Sequence, residues 1–397
     1  MNVKEGAKPM YDFDKTIELW DPLSHKWGSF PEDVIPMFVA VMDFEATPAV
    51  CDALNTRLKN RVFGYERAGD QFLDTASGWF KRVYGLDVPR DWLLPLTGIV
   101  PALAALANLT PHAAVLTNTP NYVGLLRAPE YAGKKVIRSP LITERAPDGL
   151  LRYRLDYDDL KRRAAGTGVF YLTNPLNPVG KVFERSELEE LSRFANEERL
   201  IVLSDEIHCE LIYGKRHIPY FDVDPDNSIA LYAAGKICNI AGLPHAFAVV
   251  PNPELRERVR RIALTMGHPG TLEYVAAEAA FSAKSDEWKR ELNDYLAANR
   301  DYLESELRRR FPDADFPHTD ATYLQWIDFG RYIDGGAKQF LREHAKVELT
   351  DGVSFGGAEE HVRLNFGCPR FRLAEALDRI ENAINSGGGL RRTGAAP

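Results

Sequence analysis

The stretch "YAAGKICNIAGL", residues 232–243, sets a lysine behind a glycine and two alanines in an otherwise apolar segment. Lysine is seldom buried without a partner, so Lys236 needs a reason to be there. The stretch follows "SIALYAA" (228–234), a short run of apolar residues of strand character. Similar runs occur at "HAAVLTN" (112–118), "GVFYLTN" (168–174), "LIVLSDE" (200–206) and "AFAVVPN" (246–252). They are nearly continuous in apolar character, as parallel strands covered on both faces are. Helix patterns lie between and after them. "SELEELSRFANEE" (186–198) opens with a serine as N-cap and a glutamate three residues later, and "PELRERVRRIALTMG" (253–267) starts on proline and ends on glycine. Strand and helix in alternation predict an α/β fold with a mostly parallel central sheet.

The last third changes character. A long helix pattern (285–311) is followed by short strand patterns, "TYLQWIDF" (322–329) and "HVRLNFG" (361–367), and by a closing helix pattern (372–386). These predict a large α/β domain over residues 46–285. A smaller α+β domain is expected from both chain ends, 1–45 and 286–397, with 386–397 as a disordered tail.

Composition removes several classes of function. The 397 residues carry a formal net charge of −8 and are 45% hydrophobic. That charge provides no basic face for nucleic acid. The arginines of 254–264 alternate with acids and read as a solvated helix face. The four cysteines have neither C-x-x-C nor zinc-ligand spacing, which fits a reducing, cytoplasmic setting with no metal. No apolar run reaches the length of a signal-peptide core or a membrane span. The glycine-rich nucleotide motifs and the G-x-S-x-G elbow are missing too.

What remains is a constellation. Asp205 ends one strand pattern, and Lys236 follows the next, 31 positions on. Pyridoxal 5′-phosphate needs an amine to hold its aldehyde and a carboxylate to keep its pyridine nitrogen protonated. At the carboxyl ends of neighbouring strands, both residues would open onto the usual ligand crevice. Two residues alone fit equally well a salt-bridged aspartate and a snorkelling lysine.

The wider sequence narrows the choice. "PMFVAVMDFEATPAV" (36–50), "VFGYERAGDQFLDTASGWF" (62–80), "LTGIVPALAAL" (96–106), "TPNYVG", "NPLNPVGK", "SDEIHCELIY", "GKICNIAGL" and "RLNFGCPR" stand in one order over about residues 11–385. In this the chain resembles the fold-type I pyridoxal-phosphate enzymes of the class I/II aminotransferase superfamily. "DEIH", "RHIP", "NRDYL" and "RLNFGCPR" bring it nearest the MalY/PatB-type cystathionine β-lyases, the cysteine C–S lyases. The resemblance implies Lys236 as the Schiff-base lysine and later the base at the substrate Cα, and Asp205 as partner of the pyridine nitrogen. It implies Asn177 and His208 beside the phenolic oxygen, although Asn177 also suits a turn and a lone histidine suits a core. It implies Tyr122 stacked on the ring, and the backbone N–H groups of Ile99 and Val100 on the phosphate at a helix start. Tyr65 would reach the phosphate from the other subunit of a homodimer. Arg363 would clamp the substrate carboxylate with its planar fork.

The chain also departs from that pattern. Relatives carry hydroxyls three before and one before the lysine, where this sequence has Ala233 and Gly235; an arginine eight after it is Pro244 here. Hydrogen bonds to a charged group contribute roughly 1.5–3 kcal/mol each, so either the cofactor is held less tightly or His245 or a partner-chain residue substitutes. Val41 replaces an aspartate in a loop expected to border the substrate. The implied activity is β-elimination from an L-cysteine S-conjugate, yielding thiol, pyruvate and ammonia. Alternatives are an aminotransferase, a cysteine-conjugate enzyme of a lincosamide-type secondary pathway, and, least favoured, a non-catalytic partner-binding protein.

Overall fold

The computed structural model describes residues 10–66 and 69–388. Seven strands form the central sheet: β1 (Leu93–Leu96), β2 (Ala114–Thr119), β3 (Lys135–Pro140), β4 (Thr167–Thr173), β5 (Ile201–Asp205), β6 (Ser228–Tyr232) and β7 (Ala246–Val249). Their order is β1-β7-β6-β5-β4-β2-β3. Strands β3, β2, β4, β5 and β6 are mutually parallel, while β7 runs antiparallel to both β6 and β1. Every residue of β4, β5 and β6 is buried, which accounts for their nearly continuous apolar sequence.

The reversal of β7 corrects the expectation that 246–252 is one more parallel strand. A parallel return needs a crossover, usually a helix. Residues 233–245 instead form turns and bends around Lys236, so the chain returns directly beside β6. A second correction concerns the helix Arg185–Glu197. Its N-cap is Glu184 rather than Ser186, and Glu184 and Glu187 satisfy each other's backbone N–H groups. Its buried side is Leu188, Leu191, Phe194 and Ala195, the spacing of one helical face.

After the long helix Asp286–Arg310, a three-stranded antiparallel sheet is built from β8 (Leu324–Asp328), β9 (Thr350–Asp351) and β10 (His361–Asn365), in the order β8-β10-β9. The helix Arg370–Ala383 continues as a wide turn over Ile384–Gly388, three residues into the segment expected as tail; residues 389–397 lie outside the described residues. The two ends of the chain meet. Phe13 packs edge-on against Trp288 of the long helix, and Ile35–Pro36 pairs in parallel with Val347–Glu348.

Asp43 ties this junction. One carboxylate oxygen accepts from Lys26 Nζ at 2.8 Å and Trp27 Nε1 at 2.9 Å, and the other from Arg372 Nη1 at 3.0 Å. The Lys26 and Asp43 side chains are 4% and 1% exposed. Removing one partner of such a pair strands a buried charge. Asp43→Ala is therefore expected to lower unfolding stability in urea by about 3–5 kcal/mol. A loss below about 1 kcal/mol, the size of an exposed bridge, would contradict this.

Candidate active site

Asp205 is the last residue of β5, in register with Thr173 of β4 and Leu231 of β6. Lys236 lies just past the end of β6, Tyr122 follows β2, and Asn177 follows β4. All four therefore sit beyond the carboxyl edge of the sheet. Tyr122, Asn177, Asp205, His208, Lys236, Ile99 and Val100 line one cavity of about 280 Å³. Ala233, Gly235, Pro244 and His245 line it too.

The other expected residues stand differently. Arg363, on β10, reaches the cavity's edge: Nη1 donates to Asn177 Oδ1 at 3.1 Å, and Nη2 to the Phe38 carbonyl at 3.2 Å. Val41 is not part of the wall; its neighbour Ala40 is. Tyr65 is fully exposed and takes no part in this chain's cavity.

Burial dominates the electrostatics. It pulls the Lys236 ammonium down to a pKa of about 8; Arg363 adds repulsion, and Asp205 partly offsets both. Burial raises the Asp205 carboxyl to about 7, against a hydrogen bond from Ile207 N–H and the nearby Lys236. His208 is pushed well below its ordinary value by burial, then by Lys236 and Arg363, so it is neutral. Arg363 is lowered to about 10, again chiefly by burial, and its guanidinium lies 4.6 Å from the Phe355 ring centre.

The loop around Val41, residues 38–44, is a strap that crosses the site. The carbonyl of Ala40 accepts from Lys236 Nζ at 2.8 Å and from the Tyr323 hydroxyl at 2.9 Å. The carbonyls around it are held as firmly. Phe38 O accepts from Thr350 as well as Arg363, and Val39 O and Val41 O both accept from Asn365. Asn239 donates to Met42 O and Phe44 O and accepts from Met42 N–H. Asn239 adopts a left-handed φ of 54°, which asparagine tolerates better than most residues. Tyr323 and Asn365 lie inside strand motifs quoted above, but their partners are hundreds of residues away, and no local pattern marks them.

The donor set fits pyridoxal phosphate. His208 Nδ1 and Arg363 Nε are buried without a partner, and buried polar atoms are normally satisfied. A ligand with oxygen atoms at this point would meet them. A carboxylate and an amine stand on the same cavity wall, and the first turn of the helix Ile99–Leu106 has no side-chain cap to occupy its N–H groups.

Comparison with known proteins agrees. The sequence model of aminotransferase class I and II matches residues 33–380. The chain belongs to that family. It is 32% identical to cystathionine beta-lyase PatB of Bacillus subtilis, covering 94% of this chain and 100% of that one. The PLP-bound C-S lyase from Staphylococcus hominis superposes with a TM-score of 0.87 at 28% identity, over 94% and 98% of the two chains. The crystal structure of OvoB gives 0.89 at 34% identity, over 95% and 100%. The protein is thus a pyridoxal-phosphate enzyme of the C–S lyase and aminotransferase kind. Among the described residues no helix is long and apolar enough to cross a membrane, and no His/Cys/Asp/Glu group could hold a metal.

In the cofactor-free protein, acylation of the Lys236 amine should rise with pH through a midpoint near 8. Arg363→Met removes a repelling cation and should move that midpoint up. Asp205→Asn removes an attracting anion and should move it down. A parent midpoint above about 10, the value of a solvated lysine, would contradict the assignment.

Proposed function

We propose that this enzyme breaks the Cβ–S bond of an L-cysteine S-conjugate of the cystathionine kind, releasing a thiol, pyruvate and ammonia. The observation that carries the reading is the meeting of Lys236, Asp205 and Arg363 at one small, largely apolar cavity. The naming of PatB as a cystathionine beta-lyase, and of the Staphylococcus hominis protein as a C-S lyase, supports it.

Bound pyridoxal phosphate supplies the electron sink for the pair left at Cα. Asp205 would keep the ring nitrogen protonated. Lys236, as a neutral amine, takes the Cα proton at Nζ; a pKa near 8 leaves a useful fraction of free base at neutral pH. The thiolate then leaves Cβ with the electron pair of the C–S bond and takes up a proton, and water hydrolyses the released 2-aminoacrylate to pyruvate and ammonia. Arg363 would receive the substrate carboxylate on its fork, where Nε has no partner among the described residues and Nη2 donates to the Phe38 carbonyl. Asn177 orients Arg363 through Oδ1 and keeps its amide N–H groups for the phenolic oxygen, with His208 beside it. Tyr122 lends its ring to the cofactor face.

The reading includes a second copy of the chain. Val62, Phe63 and Tyr65 are 71%, 57% and 110% exposed. In a homodimer they would be covered, and Tyr65 would reach the partner's phosphate site. A division into a large unit (46–285) and a small one drawn from both ends would let Arg363 close over the substrate. The four unpaired cysteines suit a reducing, cytoplasmic setting.

Incubated with cystathionine and no keto acid, the enzyme should give pyruvate and thiol over many turnovers. Lys236→Ala should slow this by about a thousandfold or more. A single stoichiometric conversion of the cofactor to its amine form would instead identify a transaminase.

A further inference from the structure

Resting on the pyridoxal-phosphate reading, we infer that the Thr97 hydroxyl is the side-chain ligand of the cofactor's phosphate and replaces the donors lost at positions 233, 235 and 244. Thr97, Gly98, Ile99 and Val100, at the start of the helix Ile99–Leu106, line the same cavity as Ala233, Gly235 and Pro244. The two segments are close: a methyl group built on Gly98 would come within 4.0 Å of Pro244 Cβ. Ala233, Gly235 and Pro244 have no side-chain donor at all. The helix offers little in their place. Pro101 is its third residue and lacks an N–H, so the first turn presents only the N–H groups of Ile99 and Val100.

His245 does not fill the gap. Its Nε2 accepts from Ala234 N–H at 3.1 Å, so Nδ1 carries the proton, which goes to the Leu243 carbonyl at 2.8 Å. Both ring nitrogens are thus engaged by the backbone that shapes the lysine loop. Three hydroxyl side chains remain in the cavity wall. Thr173 gives its proton to Asn121 Oδ1 at 2.6 Å. Tyr122 follows β2 and is placed to face the ring. Thr97 is the third; it is half-buried, and no described residue exchanges a hydrogen bond with its hydroxyl. It stands two residues before Ile99, the first of the two backbone donors, with Gly98 between them. As a β-branched residue it has few rotamers to lose on binding.

The test compares pyridoxal phosphate with pyridoxal, which lacks the phosphate, by titrating the cofactor-free protein and following absorbance. Relative to the parent, Thr97→Val should weaken pyridoxal phosphate binding about ten- to hundredfold while pyridoxal binding stays within about twofold. Thr97→Ser, which keeps the hydroxyl, should restore the phosphate preference. Equal pyridoxal phosphate affinity in parent and Thr97→Val would overturn the inference while leaving the cofactor assignment standing. So would an equal loss for both ligands, which marks damage to the fold. If the parent captures neither ligand, the cofactor reading itself falls, and this inference falls with it.

Discussion

The Lys236 amine donates to the carbonyl of Ala40 at 2.8 Å, inside a wall that also holds Asp205 and lies against Arg363. Burial shifts all three groups, and Lys236 also feels both Arg363 and Asp205. The amine and the carboxyl are driven toward neutral pH from opposite sides, to about 8 and about 7. Such a site is costly to fold around and valuable to a cofactor. In the proposed function pyridoxal phosphate would bring an aldehyde for the amine and a basic ring nitrogen for the acid, and binding would satisfy both groups. The rest of the molecule reads as the apparatus that keeps them this close.

That apparatus has two parts. The parallel strands β4, β5 and β6 deliver Asn177, Asp205 and Lys236 to one edge of a sheet, and every residue of these three strands is buried. The strap at residues 38–44 then closes the space from the other side. Besides the Asp43 cluster and the ring packing of Phe38 and Phe44, it is fixed by side chains from elsewhere: Arg363 and Asn365 from β10, Tyr323 just before β8, and Asn239 from the lysine loop. Arg363 and Lys236 thus anchor the strap. In the proposed function a substrate carboxylate would compete with Phe38 O and the cofactor aldehyde with Ala40 O, which would couple ligand binding to the grip on the strap.

Much of this was legible in the residues. Unbroken apolar runs give away buried parallel strands, and an aspartate and a lysine at successive strand ends give away the chemistry, once the surrounding motifs fix the family. The direction of β7 was not legible, because Ala246–Val249 is as apolar as its parallel neighbours and only the loop before it decides the sense. The cap at Glu184 was hidden because Ser186 offers the commoner signal two residues on. The strap and the role of His245 depend on hydrogen bonds to backbone carbonyls and amides. Such bonds leave no trace in side-chain periodicity. His245 stood out in the sequence as a spare donor, whereas the fold spends both its nitrogens on Ala234 and Leu243. The absence of Val41 from the cavity wall has the same origin: the strap turns Ala40 inward, and the next residue faces elsewhere.

The central claim is that one particular amine captures the cofactor. Reducing the pyridoxal-phosphate-loaded protein with borohydride fixes the captured group in place, and peptide mass spectrometry then locates it. The account predicts a phosphopyridoxyl group on the peptide containing Lys236 and on no other. Its attachment to a different lysine, or to none, would contradict the account.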